Sequence, residues 1–136
     1  MGTLPSLKKL YLISLRLLER LPISIGGLTR LEDLRLESVG LTDLPQSTGQ
    51  LRGLKTLAIK YLRCDELELP ETMTMLKLEV LHVSYVDRLK NLPQMNCLRE
   101  LTLSCVELRN LSDALSGMTS LEILTLDTVY GLQVLS

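Results

Sequence analysis

Along this chain the apolar residues recur on a fixed unit, Leu-x-x-Leu-x-Leu, with Ile or Val allowed in the last place. It reads LKKLYL from Leu7, LEDLRL from Leu31, LKTLAI from Leu54, LEVLHV from Leu78, LRELTL from Leu98 and LEILTL from Leu121. Successive starts lie 24, 23, 24, 20 and 23 residues apart, and six units in register leave chance out of consideration. Apolar residues alternate with others over each short unit, which is the pattern of a half-buried strand. One such strand cannot bury its leucines alone. Stacked on its neighbours at about 4.8 Å, it forms a parallel sheet.

A returning half follows each strand: LERLP to Pro22, LTDLP to Pro45, LELP to Pro70 and DRLKNLP to Pro93. The fifth unit has LRNLSDAL, and the sixth breaks off at LQVLS. The Leu-Pro pair pushes its Leu towards extended geometry and starts the return. Segments such as PQSTGQLRG are too short and Gly-rich for a long helix, so loops and single 3₁₀ or helical turns are expected there. The fourth repeat has only 20 residues, which predicts a tighter return and a change of curvature between Pro93 and Leu98. The crowded ELELP predicts local bulging over Cys64 to Leu69.

The period lies within the roughly 20–29 residues of leucine-rich repeats. The expected fold class is therefore an α/β solenoid: a right-handed, curved leucine-rich-repeat domain of about six repeats of 20–24 residues. Its parallel sheet lines the concave side, and loops with short 3₁₀ or helical turns form the convex side. The chain, 1–136, is one such domain. It starts almost directly in a strand after MGTLPS, and Thr3-Leu4-Pro5 looks like the return of an earlier repeat. Solenoids need polar caps, so both ends are expected to be uncapped, as in a fragment or a truncated product.

Many leucine-rich repeats carry Asn or Cys at the ninth place, where the side chain bonds backbone groups along the ladder. Here that place holds Leu15, Val39, Leu62, Val86, Val106 and Val129. Main chain or water must then satisfy the backbone, because a buried unpaired group costs about 1–3 kcal/mol.

LERLPISIGGLTRLEDL and LTDLPQSTGQLRGLKTL resemble the repeats of plant intracellular immune receptors of the nucleotide-binding type, and the likeness runs from Leu7 to Leu135. The aliphatic ninth place departs from that family's usual Asn or Cys. The resemblance implies a protein-recognition module of plant defense and disease resistance, sensing a pathogen protein or holding a receptor inactive. Extracellular plant receptors carry Gly-x-Ile-Pro and paired capping cysteines, neither of which occurs here.

Composition narrows this further. Phe and Trp are absent, so the core must be aliphatic. A net charge of −1 offers no field for nucleic acid or an anionic membrane. No apolar run approaches the roughly 20 residues of a membrane span. Cys64, Cys97 and Cys105 are odd in number and lack metal-site spacing, so they read as reduced packing residues in a cytoplasmic protein. Neither metal nor cofactor is expected. Asn110-Leu111-Ser112 is a glycosylation sequon, short enough to arise by chance.

Function in such a fold lies on the exposed columns of the sheet. The second place holds Lys8, Glu32, Lys55, Glu79, Arg99 and Glu122, alternating in sign at every step. This column reads as register support. The third, fifth and eighth places bring Tyr11, Arg35, Tyr61, Val80, His82, Tyr85 and Thr102 towards the concave face. Tyr and Arg are typical interface anchors, so these seven are the candidate protein-binding residues, although tyrosines there can also simply cover leucines. An enzyme is not expected: His82 has no acid or nucleophile locked to it, and the Gly-rich Ile25 to Gly27 lacks a following Lys-Ser/Thr. The other reading is a free-standing scaffolding protein that self-associates, as a homo-oligomer, or binds a partner through its exposed ends.

Overall fold

A computed structural model describes residues 4–62 and 64–131. All six units form strands: β1 (Lys9–Ile13), β2 (Asp33–Glu37), β3 (Thr56–Lys60), β4 (Val80–Arg88), β5 (Glu100–Glu107) and β6 (Ile123–Tyr130). They make one parallel sheet in the order β1-β2-β3-β4-β5-β6. Equivalent leucines pair across it, as in Leu34↔Leu57 and Leu81↔Leu101. Three returns carry 3₁₀ turns, at Ile23–Gly27, Gln46–Gln50 and Glu71–Met75. The fifth carries a short α-helix, α1 (Leu111–Leu115). This is an α/β solenoid of the leucine-rich-repeat type.

The core is the stack of leucines between sheet and returns, from Leu12 to Met118. The second-place carbonyl of each repeat accepts two N–H groups of the next repeat. Lys8 O takes Glu32 N at 2.7 Å and Asp33 N at 3.0 Å, and the pattern recurs at Glu32, Lys55, Glu79 and Arg99. The charges above it pair in twos rather than continuously: Lys55–Glu32 at 3.3 Å and Arg99–Glu79 at 4.0 Å. Both pairs are exposed, and each is worth about 0–1 kcal/mol.

Pro22, Pro45 and Pro70 each precede a 3₁₀ turn with φ near −67° or −68°. Proline presets that angle and needs no N–H at a turn's start. From Pro to the next leading Leu the chain takes nine steps after Pro22 and Pro45, eight after Pro70 and five after Pro93. The fourth return therefore has no room for a 3₁₀ turn and forms none. Met95 fills the core there, as Ile25 and Met73 do elsewhere. The turns of neighbouring repeats touch closely: a Cβ on Gly49 would lie 2.5 Å from Thr72 Cβ.

Over Cys64 to Leu69 the chain is irregular, joined to its neighbours by the single bridges Asp43↔Glu68 and Leu67↔Leu89. The recorded register slip falls in β4, between Val86 and Arg88. Asn91 braces the stretch: its Nδ2 donates to Leu69 O at 2.8 Å, and its Oδ1 accepts from Leu69 N at 3.0 Å. A return side chain thus supplies backbone bonding that the aliphatic ninth place cannot give.

The ninth-place column is buried at Val39, Leu62, Val86 and Val106, but Leu15 is exposed. Main chain satisfies its surroundings in part: Ser14, Ser38 and Tyr61 N–H donate to Glu37, Lys60 and Ser84 carbonyls. One expectation fails. Cys64 packs in the core, but Cys97 is exposed and Cys105 half-buried, because Cys97 stands just before a strand rather than at a leucine position. LQVLS after Gly131 and Thr3 of the first return lie outside the described residues.

Candidate functional site

Every eighth-place residue takes a left-handed backbone: Ser14, Ser38, Tyr61, Tyr85, Cys105 and Thr128 have φ between 52° and 60°. No glycine occupies the place, so each residue bears strain of about 1–2 kcal/mol. Repetition aims the six side chains alike. Tyr61 and Tyr85 stand one interstrand step apart, and their rings stack at 4.6 Å with planes 10° apart. That spacing matches the ladder itself. Both rings remain about half exposed, at 47% and 50%.

This pair separates two clefts. One, of about 380 Å³, is lined by Glu37, Lys60, His82, Ser84, Thr102 and Asp127, among others. The other, of about 320 Å³, is lined by Arg16, Ser38 and Leu62. Four of the seven candidates, Tyr61, His82, Tyr85 and Thr102, come together here. The seventh-place residues Glu37, Lys60, Ser84, Ser104 and Asp127 join them. Sequence reasoning passed over that column, although alternation places the seventh position on the same face as the third and fifth.

Tyr11 and Arg35 form a separate cluster on β1 and β2. The Arg35 guanidinium lies 4.8 Å over the Tyr11 ring, and the Tyr11 hydroxyl donates to Asp33 Oδ2 at 2.9 Å. Asp33 Oδ1 and Arg35 Nε are shielded and have no hydrogen-bond partner among the described residues. Val80 is half-buried in β4 and lines neither cleft.

Burial lowers the His82 pKa below its ordinary 6.5; Lys60 and Arg35 add to this, while Glu100 opposes it. The imidazole is therefore neutral near pH 7. The neighbouring Cys105, with a smaller contribution from Tyr61, raises the Tyr85 phenol above its usual value. Tyr85 stays a neutral hydroxyl, able both to donate and to accept. The cleft thus offers two aromatic faces, a neutral imidazole, hydroxyls and charges of both signs. Among the described residues no group of His, Cys, Asp and Glu is placed to hold a metal, and no helix is long and apolar enough to cross a membrane.

No family model matches this sequence. Among solved structures, a leucine-rich-repeat protein of Leptospira interrogans aligns with 94% of this chain at 22% identity and a TM-score of 0.46. The chain spans 45% of that protein's length.

Proposed function

We propose that this chain is a protein-recognition module whose sheet face binds a protein ligand around Tyr61 and Tyr85. One observation carries the reading: a half-exposed, stacked tyrosine pair held on strained backbone between two clefts. Tyrosine offers a large, rigid contact area with only two rotatable bonds to freeze. The Tyr11–Arg35 cluster extends the surface along the sheet. The finer reading is a cytoplasmic sensor or regulatory repeat domain of plant-type innate immunity. It rests on the resemblance of LERLPISIGGLTRLEDL and LTDLPQSTGQLRGLKTL to receptors of that kind.

The test is Tyr61→Ala with Tyr85→Ala. Partner binding should weaken at least ten-fold, while the melting temperature stays nearly unchanged. Loss of folding instead would make the pair a cover for the leucines below. For the finer reading, the native transcript would be sequenced on both sides of this segment. A nucleotide-binding domain upstream supports the receptor reading, and its absence favours a free-standing binder.

A second reading has its own observation. β6 leaves Ile123, Leu124 and Tyr130 exposed, and β1 does the same with Ile13, while Leu15 and Leu17 just after β1 are also exposed. Glu122 and Lys8 would continue the alternating column if copies stacked head to tail. Scaffolding through these ends predicts a mass in light scattering that rises with concentration; a constant monomer mass rejects it.

A further inference from the structure

The strands' N-terminal ends carry a second surface, independent of the tyrosine face. A trough of about 410 Å³ crosses the lead-ins to β3, β4, β5 and β6. Three interstrand steps give it a length of about 14 Å. The place just before each leading Leu supplies Gly53, Lys77, Cys97 and Ser120, so three of four residues on this line are small. Arg52, Lys55, Lys77 and Arg99 also line it, with Glu79 as the sole acid among its lining residues. Four cations against one carboxylate stand out on a chain whose net charge is −1.

The ion pairs compensate only half of this charge. Lys55 meets Glu32 and Arg99 meets Glu79, but Arg52 and Lys77 have no salt bridge among the described residues. Both side chains are exposed and free to reorient. A volume near 400 Å³ is in the small-ligand range. Guanidinium forks and ammonium groups converging on one trough match the oxygens of phosphate or carboxylate groups.

We infer that the trough lined by Arg52, Lys55, Lys77 and Arg99 binds a small, multiply charged oxyanion: a phosphate ester or a polycarboxylate. Arg52 and Lys77 supply the free charge. Lys55 and Arg99 are held in position by Glu32 and Glu79.

Calorimetric titration with tripolyphosphate and, separately, with citrate tests this at low salt. At least one should bind saturably, and which binds tighter identifies the ligand chemistry. Arg52→Ala with Lys77→Ala should weaken binding at least ten-fold. Lys90→Ala with Arg109→Ala removes equal charge beyond the other ends of the strands and should leave affinity unchanged. The bound anion should also slow N-ethylmaleimide alkylation of Cys97, with Cys105 as the internal reference. No saturation with either probe overturns the inference. So does equal loss in both double variants, or a Cys97 rate unmoved by saturating anion.

Discussion

The two halves of the sheet are built from the same unit but end differently. β1, β2 and β3 have five residues each, whereas β4, β5 and β6 have nine, eight and eight. In the second half pairing runs through the strained eighth place to Val86↔Val106 and Val106↔Val129. In the first half strand pairing stops at the seventh place, at Ile13↔Glu37 and Glu37↔Lys60. Side chains beyond the ninth place mark the contrast. Arg88 of β4 donates to Glu107 of β5 at 3.0 Å and lies 3.8 Å from Glu66 in the irregular stretch of the preceding repeat. In the first half Gly40 follows Val39, and a Cβ there would lie 2.6 Å from Arg16 O. The lesson is that an aliphatic ninth place is tolerated in two ways: the ladder continues past it, or the chain closes tightly behind it.

The largest effect should come from placing an amide in that column. Val106→Asn buries it where strand pairing already occupies the backbone, at a cost of about 3 kcal/mol. Val39→Asn stands where strand pairing has ended and should cost roughly half as much, since the amide can find a partner. Urea unfolding measures both, and equal costs would break the comparison. Next, Gly49→Ala forces a Cβ onto Thr72 across adjacent 3₁₀ turns and should cost about 1–3 kcal/mol. Gly117→Ala meets only the flexible Gln94 side chain and should cost less. A reversed order in thermal melts would show that the turns of the first half are not rigidly packed.

The smallest effect is a pH dependence of the long-stranded half. His82 in β4 has a folded pKa below 6.5, so the unfolded chain takes up its proton first as pH falls. Its contribution to stability is full above about pH 6.5 and declines as pH drops below that. His82→Gln should flatten this part of the profile, and an unchanged slope would assign it to other groups. Glu107 acts lower: the Arg88 hydrogen bond holds its pKa below 4.5, so its contribution is lost only as pH falls through that lower value.

Much of this was legible in the sequence because repetition turns spacing into register. Leucines at fixed places give strands, strands that cannot stand alone give a parallel sheet, and Leu-Pro marks each return. Four candidate residues, Tyr61, His82, Tyr85 and Thr102, also meet as the columns imply. Tyr11 and Arg35 pair with each other instead, because the register of β1 and β2 sets them side by side and brings the cation over the ring.

By itself, then, the sequence determined the solenoid, its six strands and the tighter return of the short fourth repeat. These follow from where apolar residues fall and how many steps separate them. Only the tertiary structure decided the left-handed eighth place, the stacking of Tyr61 on Tyr85, the bracing by Asn91 and the basic trough. Each depends on contacts between residues about 20 to 45 positions apart, and backbone strain at Ser, Tyr, Cys or Thr leaves no trace in composition. The ladder holds these residues in place, and the ladder exists only once the repeats have stacked.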